Sequence, residues 1–144
     1  MALPAPRFAV CLKLVAGLGC RRGCQTDELQ GLLMQCLAEA GASLDDLAAL
    51  ASSEAKAAEP GLIALSERLR LPLYFLPVDI LAAEDMRLSQ PSERVREVIG
   101  SAGVAEAAAL VQIEALFGGR AALLIDKRRS AGATCALACI QHEA

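Results

Sequence analysis

Apolar residues recur at helical spacing in three segments of the chain. From Thr26 to Ala40 they repeat every three or four residues, which predicts an amphipathic helix. Thr26 is placed to cap its first turn and Gly41 to end it. A second helix is predicted from Pro60, a residue that suits a first turn. The third segment, Val104–Phe117, is apolar on nearly every side, which is typical of a helix buried on several faces.

Weaker signals predict shorter helices. Ser43 followed by Asp46 resembles a capping box and predicts a short helix through about Leu50. Residues 79–91 are polar and predict a helix fragment followed by a loop. Another helix is expected from Ser92 to about Gly100.

Four apolar runs predict strands. Residues 8–16 form the first, bounded by a turn at Gly17-Leu18-Gly19, and residues 73–76 form a short one. Residues 121–126 and 134–141 are joined by a short basic loop containing Gly132, so they should pair antiparallel, whereas strands separated by helices favour parallel crossovers. The pattern indicates an α/β fold, a three-layer α/β/α domain with a small mixed sheet of about four to five strands. We expect residues 1–144 to form a single domain.

Composition narrows the function classes. Hydrophobic residues make up 55% of the 144 positions, aromatic residues only 3%, and the formal net charge is -3. Nucleic-acid binding is therefore not expected, because it needs positive charge and stacking rings. The apolar stretch over residues 8–19 is interrupted by Lys13 and is too short to span a bilayer. With no convincing signal peptide, we predict a cytoplasmic protein without a membrane partner.

The segment Gly17-Leu18-Gly19-Cys20-Arg21-Arg22-Gly23-Cys24 lies between a predicted strand and an amphipathic helix. Glycines allow a tight turn that exposes backbone N–H groups, and the positive end of the following helix favours an anion. The two arginines add donors for carboxylates or phosphates. The alternative is a structural turn with solvated arginines. The spacing matches neither the phosphate-binding loop nor the dinucleotide fingerprint.

Four segments together resemble the CobE/CbiG C-terminal family of cobalamin biosynthesis. GLGCRRG at residues 17–23 is similar to that family's G-I-G-C-R-R-G signature. The other three are ASSEAKAAEPG at 51–61, GVAEAAA at 103–109, and Lys127 followed by TCALA at 134–138. The match runs in order from Phe8 to about Ile140, and the length fits a stand-alone member better than a full CbiG.

The resemblance implies a role in building the corrin ring, with a precorrin or corrinoid intermediate as the ligand. Three hypotheses follow: an accessory or carrier that binds the intermediate, a precorrin lactone hydrolase, and an interaction module for a pathway methyltransferase that contacts no tetrapyrrole. Other cobalamin-pathway enzymes are possible partners, and no cofactor is expected. The expected ligand-binding residues are Gly17, Gly19, Cys20, Arg21, Arg22, Gly23, Ser52, Lys56, Glu59 and Lys127.

The sequence contains no recognisable set of catalytic residues, since there is no serine nucleophile elbow and only one histidine, His142. Glu106 and Glu59 are candidate acid/base residues. Glu106 could instead complement a helix dipole. Lys56 and Glu59 would share a face if their segment is helical, as a binding pair or a solvated one.

The other polar candidates for ligand binding could instead have structural roles. Lys127 and its basic neighbours could bind carboxylates or be solvated, and Ser52 could satisfy local backbone. The six cysteines are expected to be free thiols without a metal, and Cys20 could be activated by the nearby helix start and arginines.

Overall fold

The computed structural model describes residues 13–84 and 104–140. The strands in these ranges are β1 (Leu14–Cys20), β2 (Leu47–Ser53), β3 (Leu73–Leu76), β4 (Ala121–Arg129) and β5 (Ala133–Ile140). The helices are α1 (Thr26–Ala40), α2 (Pro60–Leu69), α3 (Val78–Ala82) and α4 (Val104–Phe117), with single 3₁₀ turns at Leu44–Asp46 and Glu54–Lys56. No helix in the described ranges has the length and apolar character needed to cross a membrane.

The five strands form one mixed sheet in the order β3-β2-β1-β5-β4. The first three strands are parallel, with β1 paired to β2 and β2 to β3. They are connected through α1 and α2, as parallel neighbours require. Strand β5 lies antiparallel between β1 and β4. The mixed sheet and the antiparallel final pair are confirmed.

Helices cover both faces of this sheet, so the predicted three-layer α/β/α fold is confirmed. Successive residues of β1 point to opposite faces, as the geometry of a strand requires. Leu14, Ala16 and Leu18 pack in the hydrophobic cluster of α1 and α2. Val15, between them, packs in a second cluster with α3 and α4. The apolar character of α4 is explained by its position, because eight of its residues are buried.

The turn predicted at Gly17-Leu18-Gly19 is wrong, because these residues continue β1 to Cys20. Gly17 pairs with Ala51 of β2 and with Ala136 of β5. A Cβ atom on Gly17 would lie 1.8 Å from the carbonyl oxygen of Ala105 in α4. Gly17 therefore allows α4 to approach β1 closely, and the chain does not change direction there. The predicted start of the strand, residues 8–12, lies outside the described residues.

The helix predicted from Ser43 to Leu50 is also wrong. The capping box of Ser43 and Asp46 does form, but it closes only one 3₁₀ turn. The chain then enters β2, in which every residue except the second is buried. A strand in the interior of a parallel sheet is apolar on both faces, and such a run is not distinguished from a helix by its periodicity.

Smaller corrections concern the ends of elements. Gln25, not Thr26, is the N-cap of α1, while Gly41 ends α1 with a φ of 69° as predicted. Lys127–Arg129 belongs to β4 and not to the loop that follows it. Of the polar stretch 79–91, residues up to Ala82 lie in α3. The helix predicted at 92–100 lies outside the described residues.

Candidate ligand-binding site

The candidate site lies where the parallel strands end. Strand β1 leads into the loop Arg21–Cys24 and then α1, and β2 leads into the turn Glu54–Lys56 and then α2. The N-termini of both helices therefore lie at the carboxyl edge of the sheet. Open α/β sheets bind ligands at this edge, and helix N-termini there favour anions.

Arg21-Arg22-Gly23-Cys24 forms a β-turn, which we call the Gly-Arg turn. The N–H of Cys24 donates to the carbonyl of Arg21 at 3.1 Å. Gly23 has a φ of 78°, as the third position of a type II turn requires, and glycine adopts this φ without strain. The arginines occupy the first two positions, and both are exposed. The sequence thus places two solvent-facing guanidinium groups on one tight turn.

Three contacts from distant parts of the chain fix the backbone of the Gly-Arg turn. The carboxylate of Glu59 accepts the N–H of Gly23 at 2.6 Å. Gly132 accepts the N–H of Arg21 through its carbonyl at 2.8 Å. At Gly61, a Cβ atom would lie 2.3 Å from the carbonyl oxygen of Cys24, so α2 packs directly on the turn. The turn is held by α2 on one side and by the β4–β5 hairpin on the other.

Glu59 is the residue before α2 and is only 7% exposed. Its Oε2 atom binds Gly23, while Oε1 has no hydrogen-bond partner among the described residues. Lys56 ends the preceding 3₁₀ turn. The condition for Lys56 and Glu59 to share a helix face is therefore not met, because no continuous helix contains both. Both nevertheless lie near the Gly-Arg turn, since their charges act on the thiols of Cys20 and Cys24.

Cys20 ends β1 and is partly buried. Burial, followed by the negative charge of Glu59, raises the pKa of its thiol from 9.0 to about 11. The expectation that Cys20 is activated is therefore wrong, because burial and nearby carboxylates outweigh Lys56. Free thiols are found at Cys20, Cys24, Cys36, Cys135 and Cys139. The described residues contain no group of three potential metal ligands.

Ser52 and Gly19 lie just inside the sheet edge. Ser52 is fully buried, and its hydroxyl donates to the carbonyl of Leu18 at 2.6 Å, which supports the structural alternative for this side chain. A Cβ atom on Gly19 would lie 2.7 Å from Oγ1 of Thr134. The Thr134 side chain on β5 thus fills the space beside Gly19, near the end of β1.

Glu106 and Lys127 form a separate cluster in the other helical layer. The carboxylate of Glu106 is fully buried and accepts the backbone N–H of Lys127 at 2.8 Å. The Lys127 side chain is largely buried as well, and burial together with the charge of Arg129 lowers its pKa. This bond joins the first turn of α4 to β4, which supports a structural role for Glu106.

Three residues that contact the site were not predicted as part of it: Glu28, Ser130 and Gly132. The carboxylate of Glu28 accepts the Ser130 hydroxyl and the N–H of Gly132, the latter at 2.6 Å. The partners are separated from Glu28 by 102 and 104 positions in sequence. A local sequence pattern contains no signal for such contacts, because locally Glu28 is only an acid in the first turn of a helix.

The fold and the Gly-Arg turn together define a small α/β domain with two exposed arginines at the carboxyl edge of its parallel strands. The chain matches the family model described as "Cobalamin synthesis G C-terminus" over residues 14–138. It therefore belongs to this family and is a cobalamin biosynthesis protein, as the resemblance implied.

Among curated relatives, the chain is 42% identical to Protein CobE from Sinorhizobium sp over 125 residues, covering 87% of this chain and 79% of the relative. It is 29% identical over 131 residues to a cobalt-precorrin-5A hydrolase from Priestia megaterium, covering 90% of this chain. The match spans only 33% of that hydrolase.

Solved structures agree with this assignment. The crystal structure of CobE, a protein from the cobalamin biosynthetic pathway, superposes with a TM-score of 0.88 at 44% identity, covering 100% of this chain and 98% of the other. The cobalamin biosynthesis protein chiG from Agrobacterium tumefaciens gives a TM-score of 0.65 at 30% identity, covering 90% and 99% of the two chains. The expected α/β fold and family are confirmed by these matches.

Proposed function

We propose that this protein binds a precorrin-type tetrapyrrole intermediate at the Gly-Arg turn and acts as an accessory or carrier in the pathway. The observation that carries the proposal is the pair of exposed arginines, Arg21 and Arg22, on a backbone fixed by Glu59, Gly61 and Gly132.

The chemistry of the site suits a ligand rich in carboxylates. Guanidinium groups form bidentate hydrogen bonds with carboxylates, and each such charge-assisted bond contributes about 1.5–3 kcal/mol. The N-termini of α1 and α2 add favourable dipoles at the same edge. Lys56, close enough to act on the thiol of Cys20, supplies a further positive charge. A precorrin carries acetate and propionate side chains around its ring, so several of these contacts can form together.

The test is a visible-absorbance titration of the purified protein with a series of precorrin and corrinoid intermediates. A saturable spectral shift with one intermediate is expected, and it would identify the step of the pathway. If no intermediate produces a shift, the binding proposal is wrong. Capture of a pathway methyltransferase by the colourless protein would then support an interaction module.

A second candidate function is hydrolysis of a precorrin lactone. It is favoured by Glu59, a buried carboxylate with one oxygen unbonded among the described residues, next to the two arginines. One relative, which this chain matches over 33% of its length, is named as a cobalt-precorrin-5A hydrolase. Conversion of a bound lactone into an open-ring product, followed by mass spectrometry, separates this function from binding alone.

A further inference from the structure

We propose that Glu28 is a positioning residue: it ties the tip of the β4–β5 hairpin to α1 and so sets the conformation in which Arg21 meets its ligand. The ligand part of this inference rests on the proposed function. The tether itself is described by contacts between residues of this chain.

The tether begins at the first turn of α1. Oε2 of Glu28 accepts the N–H of Gly132 at 2.6 Å and also the hydroxyl of Ser130. The N–H of Ser130 donates to the carbonyl of Ala133 at 2.9 Å, which closes the hairpin. One carboxylate therefore holds two residues of the tip. A charged acceptor makes such bonds stronger than a neutral one would.

The tether continues into the Gly-Arg turn through the same glycine. The carbonyl of Gly132 accepts the N–H of Arg21 at 2.8 Å, and the carbonyl of Arg21 accepts the N–H of Cys24. Both polar backbone groups of Gly132 and both of Arg21 are thus bonded in one chain that starts at Glu28. A Cβ atom on Gly132 would lie 3.5 Å from both carboxylate oxygens of Glu28 and 3.8 Å from the sulfur of Cys24, so the tip packs closely on the turn.

Removal of the Glu28 carboxylate should release the hairpin tip and loosen the backbone of Arg21. The ligand would then have to order this segment when it binds. Ordering a mobile side chain of this kind weakens binding by about threefold to tenfold. Glu28 touches no ligand in this scheme. It acts on the turn through Gly132, and it also lies close enough to Cys24 and Arg21 for its charge to act on both.

Asp27 provides a matched control. It lies beside Glu28 in the first turn of α1, carries the same charge, and is paired with the exposed Arg68 at 2.9 Å. Asp27→Asn therefore removes one negative charge from the same helix end without touching the tether. Glu28→Gln keeps an oxygen that can accept the N–H of Gly132, whereas Glu28→Ala keeps none.

The experiment combines amide hydrogen exchange with the absorbance titration. Exchange at Gly132 and Arg21 should be faster in Glu28→Ala than in Asp27→Asn, with the core amides unchanged. Affinity should fall in the order Asp27→Asn, Glu28→Gln, Glu28→Ala. In an Arg21→Ala background, Glu28→Ala should change affinity by less than about twofold, because residues that act as a unit are not additive.

An affinity of Glu28→Ala equal to that of Asp27→Asn would overturn the proposal, as would an equal loss in the Arg21→Ala background. If Glu28→Ala does not fold, Glu28→Gln carries the same comparisons. The exchange measurement needs no ligand. Normal protection of Gly132 in Glu28→Ala therefore refutes the tether, whereas absence of binding by the unaltered protein refutes the proposed function and the positioning role with it.

Discussion

The carbonyl oxygen of Ala105 in α4 occupies the space in which a side chain on Gly17 would stand, 1.8 Å from the position of its Cβ atom. The first turn of α4 therefore rests on the bare backbone of the central strand β1. The same helix end contributes Glu106, whose carboxylate binds the backbone of β4. A single glycine thus determines how closely one helical layer approaches the sheet.

Gly17→Ala should be strongly destabilising. Overpacking a core commonly costs about 1–3 kcal/mol, and we expect the upper end of this range because the clash is with backbone that no rotamer change can move. Urea unfolding followed by circular dichroism measures the change in the free energy of unfolding.

Gly31→Ala is the matched control for this prediction. Gly31 is exposed in the middle of α1, and nothing lies within 4 Å of its Cβ position. Alanine in a helix interior is better than glycine by about 0.5–1 kcal/mol, so this variant should be more stable than the unaltered protein. Equal stability of the two variants would contradict the packing described for α4 and β1.

Much of the fold was accessible from the sequence. The helix Thr26–Ala40 has a regular apolar face and a left-handed glycine at its end, and its boundaries were predicted as they are. Strand β2 was missed because its residues face apolar layers on both sides of the sheet and give no alternation. The turn at Gly17 was predicted wrongly because a glycine in a sequence can allow either a turn or a close contact, and the sequence alone does not distinguish the two.

The candidate site was accessible only in part. A glycine-dependent turn was predicted within residues 17–24, and the structure forms it only at Arg21–Cys24, where Gly23 takes the positive φ. The bonds of Glu59 to Gly23 and of Glu28 to Gly132 span 36 and 104 positions. Such pairings depend on the strand order of the sheet, which places distant loops side by side, and no spacing in the sequence encodes them.

The role of Glu59 can be separated from catalysis by two substitutions. If Glu59 only holds the Gly-Arg turn, Glu59→Gln should leave ligand affinity nearly unchanged, because the amide oxygen can still accept the N–H of Gly23. Glu59→Ala should lower the free energy of unfolding by about 1–3 kcal/mol through the lost bond. Loss of lactone turnover in Glu59→Gln, with affinity retained, would instead identify Glu59 as an acid/base residue.

Arg21→Ala should weaken binding of a precorrin intermediate far more than Arg129→Ala. Both arginines are exposed, so the two variants lose the same charge. Arg21 lies on the fixed turn, whereas Arg129 ends β4 beyond the Glu106 cluster. Loss of one charge-assisted contact corresponds to about tenfold to hundredfold in affinity. Equal small effects in parallel titrations would refute the assignment of the site to the Gly-Arg turn.

Alkylation of Cys20 should be slow at neutral pH. Its thiol has a pKa of about 11, raised from 9.0 by burial and by Glu59. Only the thiolate reacts, so at pH 8 the reactive fraction is about a hundredfold smaller than for an unperturbed cysteine. The rate with iodoacetamide should keep rising with pH up to about 11. Glu59→Gln removes the second cause of the shift and should make the reaction faster.

Tryptic digestion allows this rate to be read at Cys20 alone. Cleavage after Lys13 and Arg21 releases a peptide that contains Cys20 and no other cysteine. The next peptide, residues 23–56, carries both Cys24 and Cys36, so fragmentation of that peptide is needed to read Cys24 as an internal comparison. Burial and Glu28 also raise the pKa of the Cys24 thiol. A rate that levels off below pH 9 would contradict this prediction, because it would show that burial and Glu59 do not raise the pKa of the Cys20 thiol.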